Sequence, residues 1–126
     1  MNNMYDTFFD KHIEYGYEEQ TKGTTYTIDY EDTAKIPFHI NEEYWKDAII
    51  VSLYDFRHDL LSSTVQYVDD SGHVYLNIDK DFSLRLKRGI YYCGIQAAEV
   101  LLKDDEFEYE NVTTIMNQND CMINVR

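Results

Sequence analysis

The sequence predicts an all-β fold, an antiparallel sandwich of seven or eight short strands, from three observations. Apolar and polar residues alternate with a period of two in segment after segment from Gly23 onward. Turn residues break these segments about every ten positions, and no strand–helix–strand spacing occurs. At 126 residues the chain suffices for one domain with a real core and is too short for two comfortable ones. Apolar residues make up 44% of it and tyrosines number 12, which supplies the aromatic surface that offsets ordering entropy. The expected division is an N-terminal arm or short helix over residues 1–22 and the sandwich over residues 23–126.

In the arm, Tyr5, Phe8, Phe9, His12 and Ile13 fall at three- and four-residue spacing. Asp6 is a cap and Gly16 a stop, so the spacing predicts a short amphipathic helix over residues 5–15. A helix this short is marginal alone, and the segment reads as an arm that orders on a neighbour. From Gly23 the period becomes two. "TTYTIDY" turns Tyr26, Ile28 and Tyr30 to one face and Thr25, Thr27 and Asp29 to the other. "KIPFHI" repeats the pattern with Ile36, Phe38 and Ile40, and Pro37, which has no N–H, places it at an edge or bend. "DAIIVSLYDF" is the most apolar run and suits a central strand.

"STVQYV" and "HVYLNI" flank "DDSG", whose Gly72 tolerates positive φ; the two runs predict an antiparallel hairpin with Val74, Leu76 and Ile78 inward. Ser83, Leu84 and Leu86 predict one helical turn crossing between sheets. "GIYYCGIQA" then sets Tyr91, Cys93, Ile95 and Ala97 on one face. Residues 99–112 fit a strand end, an acidic loop or a second short helix equally. "NVTTIM" and "CMINV" close the chain, with Cys121, Ile123 and Val125 inward.

Gly89, Tyr91 and Cys93 resemble the Gly-x-Tyr-x-Cys entry of an immunoglobulin F strand, where a tyrosine hydroxyl bonds back to the backbone of the corner. Two departures exclude an antibody-type domain: Lys87 replaces the usual acid, and no upstream cysteine exists to pair with Cys93. A wider resemblance covers residues 74–95, "VYLNIDKDFSLRLKRGIYYCGI". The order of Gly72, Leu76, Ile78, Ser83, Leu86, Gly89, Tyr91, Cys93 and Ile95 is similar to a module of bacteriophage virion proteins. That module includes the N-terminal domain of upper baseplate proteins and related tail and head-fibre attachment domains. "KGTTYTIDYED" is similar to its first strand and "TTIMNQNDCMINV" to its last hairpin. The resemblance implies an immunoglobulin-like sandwich with a structural role: attaching fibres or baseplate parts to a particle, or decorating its shell.

Charge and motifs narrow the chemistry. The formal net charge is −13, from 24 acids against 11 bases, which opposes binding along a phosphate backbone or an anionic membrane. His12, His39, His58 and His73 share no ligand spacing, and the acidic runs "DYED", "DKD" and "KDDE" lack the calcium-loop pattern. No G-x-S-x-G, P-loop or dinucleotide glycine motif occurs, so no enzyme, cofactor or metal is expected. Cys93 and Cys121 are too few for a disulfide scaffold, and reduced buried thiols are expected. The N-terminus shows no cleavable signal pattern, and no run reaches the roughly 20 apolar residues of a membrane span. Synthesis in a host cytoplasm and residence in the virion are therefore expected. The partners would be capsid, fibre or tail subunits, and a homo-oligomer is compatible with this reading. Docking would use Tyr5, Phe8, Phe9 and Ile13 of the arm and the outward tyrosines Tyr54, Tyr75 and Tyr92. Two other functions fit the totals: an acidic mimic of DNA charge that inhibits a host enzyme, and a carbohydrate-binding module stacking sugars on the same tyrosines.

Overall fold

The computed structural model describes residues 14–15 and 24–126, and these form a two-sheet β-sandwich. The strands are β1 (Glu14–Tyr15), β2 (Thr24–Ile28), β3 (Ala34–Ile40), β4 (Ala48–Tyr54), β5 (Leu60–Gln66) and β6 (His73–Ile78), then β7 (Gly89–Lys103), β8 (Glu106–Met116) and β9 (Cys121–Val125). One helical turn, α1 (Lys80–Ser83), joins β6 to β7. The smaller sheet has the order β1-β3-β6; the larger runs β2-β9-β7-β4-β5, with β8 also paired to β7. The β1–β3 and β2–β9 pairings are parallel, and all others are antiparallel.

Alternation explains the core. Ile36, Phe38 and Ile40 of β3 and Val74, Leu76 and Ile78 of β6 are buried with Ile49, Val51 and Leu53 of β4, Cys93 and Ile95 of β7, and Ile123 of β9. Truncating one of the largest of these to alanine would cost about 2–5 kcal/mol through lost transfer energy and the cavity left behind. Pro37 is tolerated because β1 covers only His39 and Ile40, which leaves the rest of that β3 edge without a strand among the described residues.

Crossing from β6 to β7 requires a sharp reversal, and local chemistry supplies it. The Asp79 side chain caps α1 by accepting from the Phe82 N–H at 2.8 Å. Gly89 then enters β7 with φ of 141°, which an L side chain rarely adopts. Two residues on, the Tyr91 ring is buried and its hydroxyl donates to the Lys87 carbonyl at 2.7 Å. Burial pushes that phenol's pKa upward.

Two expectations are corrected, and one open reading is decided in favour of strand. The runs on either side of "DDSG" do not form a hairpin: β5 pairs with β4 and β6 with β3, so the turn carries the chain from one sheet to the other. The turn itself closes through Gly72 N–H to Asp69 carbonyl at 3.0 Å, with Gly72 at φ 83°. A Cβ at Gly72 would sit 2.9 Å from the Trp45 ring. In place of backbone pairing, the Gln66 side chain accepts from the Tyr75 N–H at 2.9 Å and donates to the Tyr75 carbonyl. The helix expected over residues 5–15 does not extend through Glu14 and Tyr15, which form a strand; Tyr5, Phe8, Phe9 and Ile13 lie outside the described residues. Finally, residues 99–112 are neither loop nor helix but belong to the long β7–β8 hairpin.

Replacing Tyr91 with phenylalanine keeps the ring and removes the donor to Lys87, so we expect a loss of about 1–2 kcal/mol in urea unfolding with an unchanged m-value. A loss below the error of that measurement would show that the corner does not depend on this bond.

Candidate interaction surface

The β7–β8 hairpin outgrows the sheet that holds it. Up to Ala98, β7 is flanked by β4; past that point β8 is its only partner among the described residues. The far half is thus a two-stranded ribbon, closed by Asp104 and Asp105 at φ 50° and 64°, as in a two-residue hairpin turn of type I′. Register sets the faces. Val100 stands opposite Tyr109 and Leu102 opposite Phe107; on the other face Glu99 meets Glu110, Leu101 meets Glu108 and Lys103 meets Glu106. One face is apolar and the other charged.

The charged face stabilises itself. Lys103 Nζ lies 2.9 Å from Glu110 and 3.4 Å from Glu108, and the Asn111 amide donates to Glu99 at 3.0 Å. Exposed ion pairs contribute only a fraction of a kcal/mol each, but they hold the strands in register. Asn111, at φ 52°, takes up the register shift between Ala97 and Glu99. The apolar face has no cover among the described residues: Leu102 is 63%, Phe107 73% and Tyr109 48% exposed. Exposed apolar side chains clustered on one rigid element mark a contact surface. Residues 99–110 also carry six acids and one lysine: Asp104 and Asp105 at the turn give this surface a negative end, and four glutamates lie on the face behind it.

The tyrosines expected to bind partners do not share a face. Tyr54 and Tyr92 are register partners on the outer side of the larger sheet, whereas Tyr75 lies on the smaller sheet opposite Pro37. All three are half-buried and engaged. His58 stacks on Tyr92 with ring centroids 4.3 Å apart, and its Nδ1 lies 3.0 Å from Gln118 Oε1. Tyr75 donates to Asp69 at 2.6 Å, beneath the Lys35 ammonium 4.3 Å from its ring centroid. A sugar-stacking platform of the three is therefore not formed.

No protein-family model matches the chain, and no curated protein does.

Among the described residues, no cluster of three or more His, Cys, Asp or Glu side chains is arranged to hold a metal ion, and no helix is long and apolar enough to cross a membrane. Cys93 and Cys121 are free and buried; hydrogen bonding to Cys121 and burial raise the Cys93 thiol's pKa well above its ordinary value, the state of an inert core thiol. The ribbon went unread in the sequence because Leu101 and Leu102 are consecutive, which hides the alternation that "FEYE" shows on the return strand.

Around Tyr75 the charge state of one group matters. Asp69 accepts from the Tyr75 hydroxyl, the His73 N–H, and the Ser71 hydroxyl and N–H, and these bonds hold its carboxyl far below the usual carboxylate range. A depressed pKa contributes stability above the unfolded value and loses it as pH falls. Asp69→Asn is therefore expected to lower the melting temperature at neutral pH, with the gap from wild type narrowing steadily as pH falls below about 4. A gap independent of pH would assign the loss to packing instead.

Proposed function

We propose that this chain is a structural subunit of a bacteriophage particle that works by docking rather than by catalysis. It would attach, decorate or anchor a fibre on the capsid or tail. The observation that carries the reading is the β7–β8 ribbon, a rigid projection with an uncovered apolar face and an acidic turn. Its complement is a groove on another virion protein with an apolar floor and Lys or Arg at its rim. Val100, Leu102, Phe107 and Tyr109 would fill the floor, while Asp104 and Asp105 at the turn would meet the rim.

An immunoglobulin-like topology is part of this proposal. Supporting it are the separation of β3 and β6 from the β9-β7-β4-β5 group, the passage of the chain between sheets after β3, β5 and β6, and the Tyr91–Lys87 bond at the start of β7. The resemblance of residues 74–95 to phage attachment modules draws on the same corner.

Aromatic and aliphatic anchors at such centres typically carry about 2 kcal/mol or more each. Changing Leu102 and Phe107 together to serine is expected to cut the copies found in purified particles to under about a tenth of wild type. The unfolding transition of the isolated variant should barely move, because both side chains face solvent. Wild-type incorporation of the double variant would refute ribbon docking. Wild-type protein absent from particles, but recovered on a basic nucleic-acid-binding enzyme in a salt-sensitive complex, would replace this function with charge mimicry.

A further inference from the structure

Among the described residues the larger sheet ends at β5, which is paired to β4 on one side only. A free strand edge is a template for another strand, and proteins usually guard it with charge, proline or a cap. Two other edges here are guarded. At β6 the Gln66 amide occupies the Tyr75 backbone groups as a strand would. β8 carries Glu106, Glu108 and Glu110 along its length. By contrast, residues 60–67, "LLSSTVQY", contain no Asp, Glu, Lys, Arg, His or Pro, in a chain of net charge −13. Leu61 is 44%, Val65 47% and Tyr67 62% exposed. The register shift within the β4–β5 pair lies at the Leu53/Tyr54 end, which leaves residues 62–66 regular.

We propose that β5 pairs antiparallel with β5 of a second copy about a two-fold axis. The pattern of the strand selects this occupant. Pairing about Ser63 keeps parity, so Leu61 faces Val65, Ser62 faces Thr64 and Ser63 faces itself; pairing about Thr64 instead sets Leu61 against Tyr67 and Ser62 against Gln66, with Val65 opposite Ser63. In either register every residue from Leu61 to Val65 meets an uncharged one, and Leu61 meets an apolar one. Electrostatics agrees with this choice. Two copies of so acidic a chain repel over most of their surfaces, and β5 is a neutral stretch along which they can approach. A basic partner finds its complement at the ribbon, not here. This proposal does not rest on the virion reading.

Sedimentation of the full chain from micromolar to millimolar concentration tests it. A monomer–dimer equilibrium is expected, and it should tighten with added salt as the repulsion is screened. Val65→Lys places like charges near the two-fold axis and is expected to weaken the dimer by about tenfold or more without unfolding the monomer. Amide hydrogen exchange of the wild type needs no variant, and protection over residues 60–67 should rise with protein concentration. A wild type that stays monomeric at about 1 mM overturns the proposal. So does a dimer that Val65→Lys leaves intact, or one that forms without protection at β5.

Discussion

Strand β7 is the member on which the rest of the larger sheet hangs. β4 holds one edge from Tyr92 to Ala98, while β9 and then β8 occupy the other edge end to end. Two strands sharing one edge require a break between them, which the Gln118–Asp120 turn makes. That turn packs against Gly94, where a Cβ would lie 3.6 Å from Gln118 and 3.4 Å from the Tyr54 ring. The same strand that anchors Cys93 and Ile95 in the core continues without interruption to Lys103. A two-stranded ribbon alone is marginal in water, but one rooted in a packed core is held at its base. The proposed docking surface thus begins with a strand that is longer than its sheet.

The start of β7 is fixed with equal care. Gly89 supplies the backbone turn, Tyr91 fills the core beneath it, and the tyrosine hydroxyl satisfies a carbonyl that the reversal would leave without a partner. Backbone, packing and hydrogen bonding converge within three residues. The direction of β7, and with it the direction of the ribbon, follows from that convergence.

Much of this was legible in the sequence wherever one strand face is dry. β3, β6 and β9 alternate cleanly because their inward residues are almost fully buried. What escaped was the pairing of β5. "DDSG" is a good tight turn, and local chemistry cannot say whether the strands beside it bond to each other or part to different sheets. A signal was present in the strand itself: the β5 residues opposite Leu53, Val51 and Ile49 are Ser62, Thr64 and Gln66, all polar, as fits a strand at the rim of the core. The ribbon escaped for a related reason. Its apolar face packs on nothing among the described residues, and its turn uses two aspartates where glycine or asparagine would have announced positive φ. The tyrosines misled in the opposite sense. Outward alternation marked Tyr75 as available, but a carboxylate six residues upstream in sequence engages its hydroxyl.

The two proposed contacts rely on different forces, and that difference lets one small domain carry both. The ribbon joins an apolar face to a negative end, so its attraction to a basic groove weakens as salt rises. β5 joins neutral side chains and backbone groups, so salt acts on it only by relieving repulsion between acidic bodies. Neither surface suits the other's partner. Strand pairing on the ribbon would bring rows of glutamates together, and a basic groove over β5 would leave its cations without counter-charges. An acidic chain that made both proposed contacts would need charge at one and none at the other, and the sequence places six acids on residues 99–110 and none on residues 60–67.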